Sequence, residues 1–315
     1  MLRVLKWSGI TVLALVALIA VAMIGGRYWL ASDSGRDFIA GQAEAAGVRI
    51  AGLDGDPFGA LTAAKIEMQD PQGAWLTVEN ATFQWHPMAL FSRTILIENL
   101  AADRVTVARQ PASDPAPADT APGEPFDPPP ISVELQRLAV KEIVIAEAVA
   151  GTAARLSLDG NARYVSGAAE AKIAVDRLDG PGSLKLSGGY RLADNHFDID
   201  LMVDDPAGGL ATSLLGLPDG VQAVLTGAGD LSAWKGRLDG KTGASKLADL
   251  AITLNRSGNA IQTTVKGDLH PAILIPADLR ETIGDTLAID LVAGLTETGA
   301  VVVERFTAKA APAAI

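Results

Sequence analysis

"WLTVENATFQWHP", residues 75–87, decides how this chain is read. Leu76 and Val78 alternate with Thr77, and Ala81, Phe83 and Trp85 alternate with Thr82 and Gln84. A period of two places every second side chain on one side of a pleated strand, so two short runs each carry an apolar face and a polar face. An apolar face must be kept from water, and what covers it has to be found elsewhere in the chain.

The same pattern spreads outward. "IEM", "TILIENL" and "RVTVAR" flank the opening stretch, spaced by Asp-Pro, Gly and Asn. Between them "HPMALFSR", residues 86–93, is predicted as a single helical turn with Pro87 at its start. Farther on come "ISVELQRLAV", "EIVIAEA", "ARLSLDGNARYV", "AEAKIAVDRL" and "GSLKLSGGYRL". "HFDIDLMVDD" is the clearest case, with Phe197, Ile199, Leu201 and Val203 on one side and Asp198, Asp200 and Asp204 on the other. "LATSLLGL", residues 210–217, reads as a helical turn before "VQAVLTGAGDL", "LADLAITLNRSG", "AIQTTVKGDL", "TLAIDLVAGL" and "AVVVERF". Asp-Gly, Gly-Gly, Gly-Pro and Ser-Gly steps punctuate these runs, which predicts successive antiparallel hairpins. Alternation with a polar outer side belongs to a half-buried antiparallel sheet.

The fold class is therefore all-β with few short helices. The chain offers almost no helix to lie on the apolar side, so two solutions stay open: a sandwich closed on itself, or a curled trough whose floor meets an apolar ligand. Periodicity alone cannot separate them. The candidate lining starts with Leu76, Val78, Phe83 and Trp85. It continues with Leu156, Leu158, Ile173, Val175, Leu184 and Leu186, then Phe197, Ile199, Leu201 and Val203. Ile252, Leu254, Ile261 and Val265 complete it, and Trp75 and Trp85 are candidates for a rim.

The N-terminus carries a second signal. Trp7 to Gly26 contains no charged residue, and nine of the residues from Ile10 to Ile24 are Leu, Ile or Val. Twenty residues at about 1.5 Å each span roughly 30 Å, the thickness of one hydrocarbon core. Ile10, Leu13, Leu18 and Ile24 would face lipid, and Tyr28 and Trp29 fall where an interfacial aromatic belt belongs. Arg3 and Lys6 precede the run, which keeps the short tail cytoplasmic and exports the remainder. A cleaved signal peptide ending at Ala20-Val21-Ala22 is the alternative, disfavoured because the apolar run continues past that site.

After this anchor (residues 1–30), residues 31–47 are predicted as a short amphipathic helix, with Ser34 and Asp37 as a capping box and Gly47 as its stop. Residues 48–110 begin the sheet. Residues 111–130 interrupt it: eight of the twenty are Pro and four are acidic, a composition for a disordered or polyproline-like loop. It is read as a long excursion within one sheet rather than a domain linker, because strands of the same style resume across 131–315.

Composition removes several functions. A net charge of −11 argues against nucleic acid, since no basic patch is there to displace counterions from phosphates. The absence of Cys leaves no disulfide, thiolate metal site or Cys nucleophile. His86, His196 and His270 have neither ligand nor triad spacing. Asp198, Asp200, Asp204 and Asp205 read as a solvated face more simply than as a calcium site. "GNARYVSG" and "GGY" are read as turns, not phosphate loops. Neither an enzyme nor a cofactor is expected.

The order of anchor, short helix, "VRIAGLDGDPFGAL", "DPQGAWLTVENATFQWHPMALFSRTILIENLAADRVTVAR" and Pro-rich interruption resembles the N-terminal part of TamB, of the AsmA-like superfamily. "LTGAGDLSAWKGRLDG" and "ITLNRSGNAIQTTVKGDLHPAIL" resemble its continuing repeats. The resemblance covers nearly the whole chain and is most specific over residues 70–109. It implies a bacterial inner-membrane protein, single-pass, with its bulk in the periplasm. It implies an elongated, curved, taco-like β-groove that carries phospholipid acyl chains towards the outer membrane. It also implies a second role, as a β-scaffold in outer-membrane protein assembly with TamA, an outer-membrane barrel. Family members are longer and contact TamA through a C-terminal domain, of which no sign follows "VVVERFTAKAAPAAI". A fragment boundary, a truncated gene and a short relative all fit this end, and that contact maps to no residue.

Overall fold

The computed structural model describes residues 32–45, 47–112, 131–217, 219–257, 260–271, 284–295 and 301–310. Four strands precede the Pro-rich stretch: β1 (Val48–Gly55), β2 (Ala60–Asp70), β3 (Gly73–His86) and β4 (Thr94–Val107). Then follow β5 (Ser132–Ile145), β6 (Ala154–Val165), β7 (Ala168–Arg177), β8 (Ser183–Arg191) and β9 (His196–Asp205). The remaining strands are β10 (Val221–Asp230), β11 (Trp234–Thr242), β12 (Ser245–Ser257), β13 (Ala260–Leu269), β14 (Leu287–Leu295) and β15 (Val301–Ala310). All fifteen form one sheet, in the order of the sequence.

One pair breaks the expected run of antiparallel hairpins. β4 and β5 are parallel, with Thr94 beside Ser132 and Val107 beside Ile145. Parallel neighbours require the connection to return along the full length of the strand, which a tight turn cannot do. The long Pro-rich segment is that connection.

The runs on either side of residue 80 are a single strand, as are "ISVELQRLAV" with "EIVIAEA". What separates them is a slip of one residue in the alternation, not a turn. Inward positions run 76, 78, then 81, 83, 85 in β3, with Asn80 between them at φ 51°. Gly52 in β1, at φ 64°, lies at the matching place. β2, β4 and β5 skip a residue along the same line, around Ala64, Asp103 and Lys141. The skipped residues face one another one for one, so the alternation changes side along a single line across β1 to β5 and the register is kept. Asn80 holds the line through a 3.1 Å hydrogen bond to the Asp103 carboxylate.

Among the described residues three short helices accompany the sheet: α1 (Asp33–Ala45), α2 (Glu147–Ala150) and α3 (Leu210–Leu214). Pro87–Ser92 forms a 3-10 turn, as read from "HPMALFSR". The cap of α1 is Ser32 rather than Ser34: its hydroxyl accepts from Gly35 N–H at 3.4 Å. Gly47 ends the helix at φ 77°.

Among the described residues no second layer covers the sheet's apolar side. The buried apolar residues among those described are chiefly small, Ala63, Ala102, Ala139, Ala154 and Ala248, with Val221, Val292, Leu217 and Trp234. A sandwich would bury the Leu, Ile and Phe of its inner faces. Here those side chains are half-buried, as in an open, curved sheet.

Candidate functional site

Hydrogen-bonded register makes the apolar positions of separate strands into continuous rows. One row passes from Ile173 to Leu186, Leu201, Leu225, Leu238 and Leu250 across β7 to β12. Another joins Leu158, Val175, Leu184, Val203 and Ala223. A third runs Ile199, Gly227, Gly236, Ile252 and Val265. On the N-terminal side Leu76 faces Val107, Val78 faces Val105 and Phe83 faces Leu100, and β4 passes the rows to Leu138, Ile143 and Ile145 of β5. The residues read from the sequence as lining whose side chains are described lie on this one side of the sheet by register, with Leu156 opposite Ile143 and Leu254 opposite Trp234. Fourteen inter-strand spacings at about 4.8 Å give the face a length of roughly 67 Å along the strand order.

The middle of the sheet is hollowed on both sides, by about 590 Å³ among Asp159, Asn161, Lys172 and Asp200 on the polar side and by a like volume on the apolar one. The apolar recess, of about 600 Å³, is lined by Ile97, Leu135, Tyr164, Leu186, Phe197 and Ile199, among others. That volume falls within the range of roughly 300–1,000 Å³ typical of small-molecule sites. Glycines keep the floor low: a Cβ on Gly160 would meet the Lys172 carbonyl at 2.8 Å, and one on Gly188 the Asp198 carbonyl at 3.1 Å. Gly160 and the Gly188-Gly189 pair therefore lie inside β6 and β8, not in turns as their sequence suggested. Where neighbouring backbone comes this close within a sheet, glycine is chosen for closeness rather than for turning.

Several residues on this side were not among the candidates read from the sequence: Ile97, Leu135 and Tyr164 in the recess, Leu225, Leu238 and Leu250 in the first row, and Trp234. Trp234 is 4 % exposed, and its indole lies over Gly227 and Gly236, where a Cβ would stand 2.0 and 2.3 Å from the ring. Its Nε1 donates to the Phe197 carbonyl at 3.0 Å, and its ring sits 5.9 Å from that of Phe197. Trp234 thus bridges β11 to β9 and paves the floor over β10. The signal was a tryptophan with glycine two residues away on its own strand and on its partner. Trp85 is similarly fixed, donating to the Pro57 carbonyl at 2.7 Å and stacking on Phe83 at 6.4 Å.

The other side of the sheet is held by cross-strand ion pairs. Glu142 lies between Arg104, at 2.6 Å, and Arg155, which tie β5 to its neighbours; the Arg104 and then the Arg155 guanidinium lower its pKa. Asp70 receives Arg109 at 2.6 Å and the backbone N–H groups of Ala112 and Gln72, both at 2.8 Å. Arg109 first, and the Ala112 N–H next, hold its carboxyl well below the usual range. Asp70 therefore stakes the start of the Pro-rich connection to the β2–β3 turn.

No three metal-ligating side chains converge among the described residues. Of the four aspartates weighed as a cation site, Asp205 is engaged elsewhere, accepting from the Thr212 N–H and hydroxyl of α3 at 2.8 and 2.9 Å. His86 pairs with Glu98 at 2.9 Å, and His270 Nδ1 meets the Thr286 hydroxyl at 3.2 Å. The anchor residues Ile10, Leu13, Leu18, Ile24, Tyr28 and Trp29 lie outside the described residues. No helix among the described residues is long and apolar enough to cross a membrane.

An open all-β sheet, apolar along one side through its whole strand order, is the architecture of an AsmA-like groove protein. The chain belongs to the YdbH-like family: residues 13–293 match the family described as "Intermembrane phospholipid transport protein YdbH". This supports the superfamily read from the sequence, and not TamB in particular. No curated protein and no solved structure matches the chain.

Proposed function

We propose that this protein is anchored in the inner membrane by residues 7–26 and conducts phospholipid across the periplasm towards the outer membrane, acyl chains against the apolar side of the sheet. The observation that carries the reading is that one continuous face of half-buried Leu, Ile, Val and Phe crosses the sheet with no covering layer among the described residues. Its family's description supports the cargo. An acyl chain that shields several hundred Å² at about 25 cal/mol per Å² gains several kcal/mol with no specific polar contact. Binding of that kind tolerates different chain lengths and allows sliding along the rows. Leu76, Val78, Phe83, Trp85 and the later lining residues act as the track, and polar headgroups stay at the rims in water.

Photo-crosslinking tests this directly. A benzophenone side chain at Leu201 in the membrane-extracted full chain should capture phospholipid, and the same group at Asp200 on the other side should not. Equal labelling of both, or of neither, refutes a one-sided track.

A second reading rests on β15. Among the described residues it pairs only with β14, and Val302, Val303 and Phe306 on it are exposed. An unpaired edge is a template for strand addition. This favours the scaffold role, in which the edge receives a strand of an outer-membrane partner such as a TamA-like barrel. Cysteine crosslinking from Val302 to outer-membrane proteins tests it; no adduct removes it.

A further inference from the structure

We propose that the 3-10 turn Pro87–Ser92 is a membrane-inserting lip that seats the first strands of the groove in the bilayer surface from which the chain emerges. The proposal rests on the anchored-groove reading and adds to it the contact between sheet and membrane.

The turn presents three large apolar side chains within four residues. Met88 is 73 %, Leu90 46 % and Phe91 79 % exposed, well above the half-buried lining of the groove. They are not loose. Pro87 starts the turn, the Ser92 hydroxyl donates to the Ala89 carbonyl at 2.7 Å, and Arg93 closes it in the left-handed region at φ 56° with its N–H on Leu90 O at 2.9 Å. A rigid turn that holds hydrocarbon out into water is unfavourable unless something apolar receives it.

Where the turn sits identifies what receives it. α1 runs back along β1: its C-terminal Glu44 meets Arg49 at 3.5 Å, and near its start Arg36 reaches Asp54 at 3.8 Å and the Gly55 carbonyl at 3.4 Å. The N-terminal end of α1 thus lies at the Gly55 end of β1, and the chain runs down the helix to enter the strand at Val48. Register carries the Gly55 end across the sheet, from Gly55 to Leu61, from Ala60 to Gln84, and from His86 to Leu96. The turn between His86 and Thr94 is therefore on the same end, about 10 Å from β1 by two strand spacings. In the sequence the uncharged stretch Trp7–Gly26 precedes α1, with residues 27–32 between them. An apolar tip at the end of the sheet where α1 begins, with Arg93 at its base for phosphate headgroups, has the chemistry of an interfacial insertion.

The chain contains no cysteine, so single probes can be placed without altering a background. The full chain carrying Phe91→Cys, labelled with the environment-sensitive fluorophore NBD, would be reconstituted into vesicles of phosphatidylethanolamine and phosphatidylglycerol. Ala244→Cys, in the exposed turn between β11 and β12 at the other end of the strands, serves as the control. The expected result is a blue-shifted emission at position 91 that shallow spin-labelled lipids quench, and an aqueous, unquenched emission at 244. Aqueous emission at both positions in chains that float with the vesicles overturns the lip while leaving the anchor standing; chains that do not float overturn both. Met88→Asp combined with Phe91→Asp should abolish the quenching of a probe at Leu90→Cys and slow lipid uptake several-fold, with bound lipid still present at equilibrium. Quenching at 91 in a protein that never holds lipid keeps the lip and removes the groove reading.

Discussion

Ile199→Asp separates an open track from a sealed core by magnitude. Ile199 stands between Gly188 and Gly227 in the register, so neither cross-strand neighbour has a side chain against it. It is half-buried, and forms part of the recess floor with Phe197 and Leu186. Full burial of an isoleucine is worth roughly 1.5–3 kcal/mol, so about 1 kcal/mol of that is lost here. The poor strand propensity of Asp adds at most about 1 kcal/mol. A total near 2 kcal/mol lowers the melting temperature by roughly 4–8 °C. The effect on cargo is larger: an acyl chain lying over the new carboxylate must strip its water, at a cost of at least about 3 kcal/mol, or about 100-fold in occupancy. Circular dichroism melting and mass spectrometry of co-purified phospholipid measure the two effects in one preparation, with Ile199→Val as the control. A folded variant with an unchanged lipid load refutes the track, and a variant that fails to fold returns Ile199 to a sealed interior.

Trp234→Ala removes a buried indole and its hydrogen bond to Phe197 and should destabilise the sheet by about 3–5 kcal/mol, whereas Trp234→Phe keeps most of the packing; thermal melts rank the two. Asn80→Ala puts an alanine in the left-handed region at a cost of about 1–2 kcal/mol and loses the bond to Asp103, while Asn80→Gly is milder; a reversed order in denaturant titration contradicts the change of side assigned to that line. The folded-state pKa of Asp70 is lowered, so its contribution to stability is present above its ordinary value near 3.8 and is lost as pH falls through the lower folded value. Arg109→Gln should therefore move the acid-induced rise in hydrogen exchange of residues 70–73 to higher pH, and an unmoved onset contradicts Arg109 as the main cause.

Side assignment within each strand was legible in the sequence because the pleat is a covalent property: Phe197, Ile199, Leu201 and Val203 must share a side whatever lies beside them. The same locality explains the helical turns at Pro87–Ser92 and Leu210–Leu214 and the stop at Gly47. Misreadings arose where one residue type serves two purposes. Gly188-Gly189 and Asp159-Gly160 look like turns and are strand interiors, because glycine also answers a need for close approach within a sheet. Asn80 looks like a break between strands and is a change of side inside one, because a single residue in the left-handed region shifts the alternation without reversing the chain.

One-sided strands, an uncharged N-terminal stretch and a Pro-rich interruption poor in donors are written in the chain. The parallel pairing of β4 with β5, the reach of Trp234 to Phe197 across an intervening strand, and the alignment of the apolar sides on one face, uncovered among the described residues, come from the folded arrangement. Alternation is encoded between neighbours two residues apart. Register, curvature and cover depend on residues tens of positions apart, and only their hydrogen-bonded arrangement in space sets them.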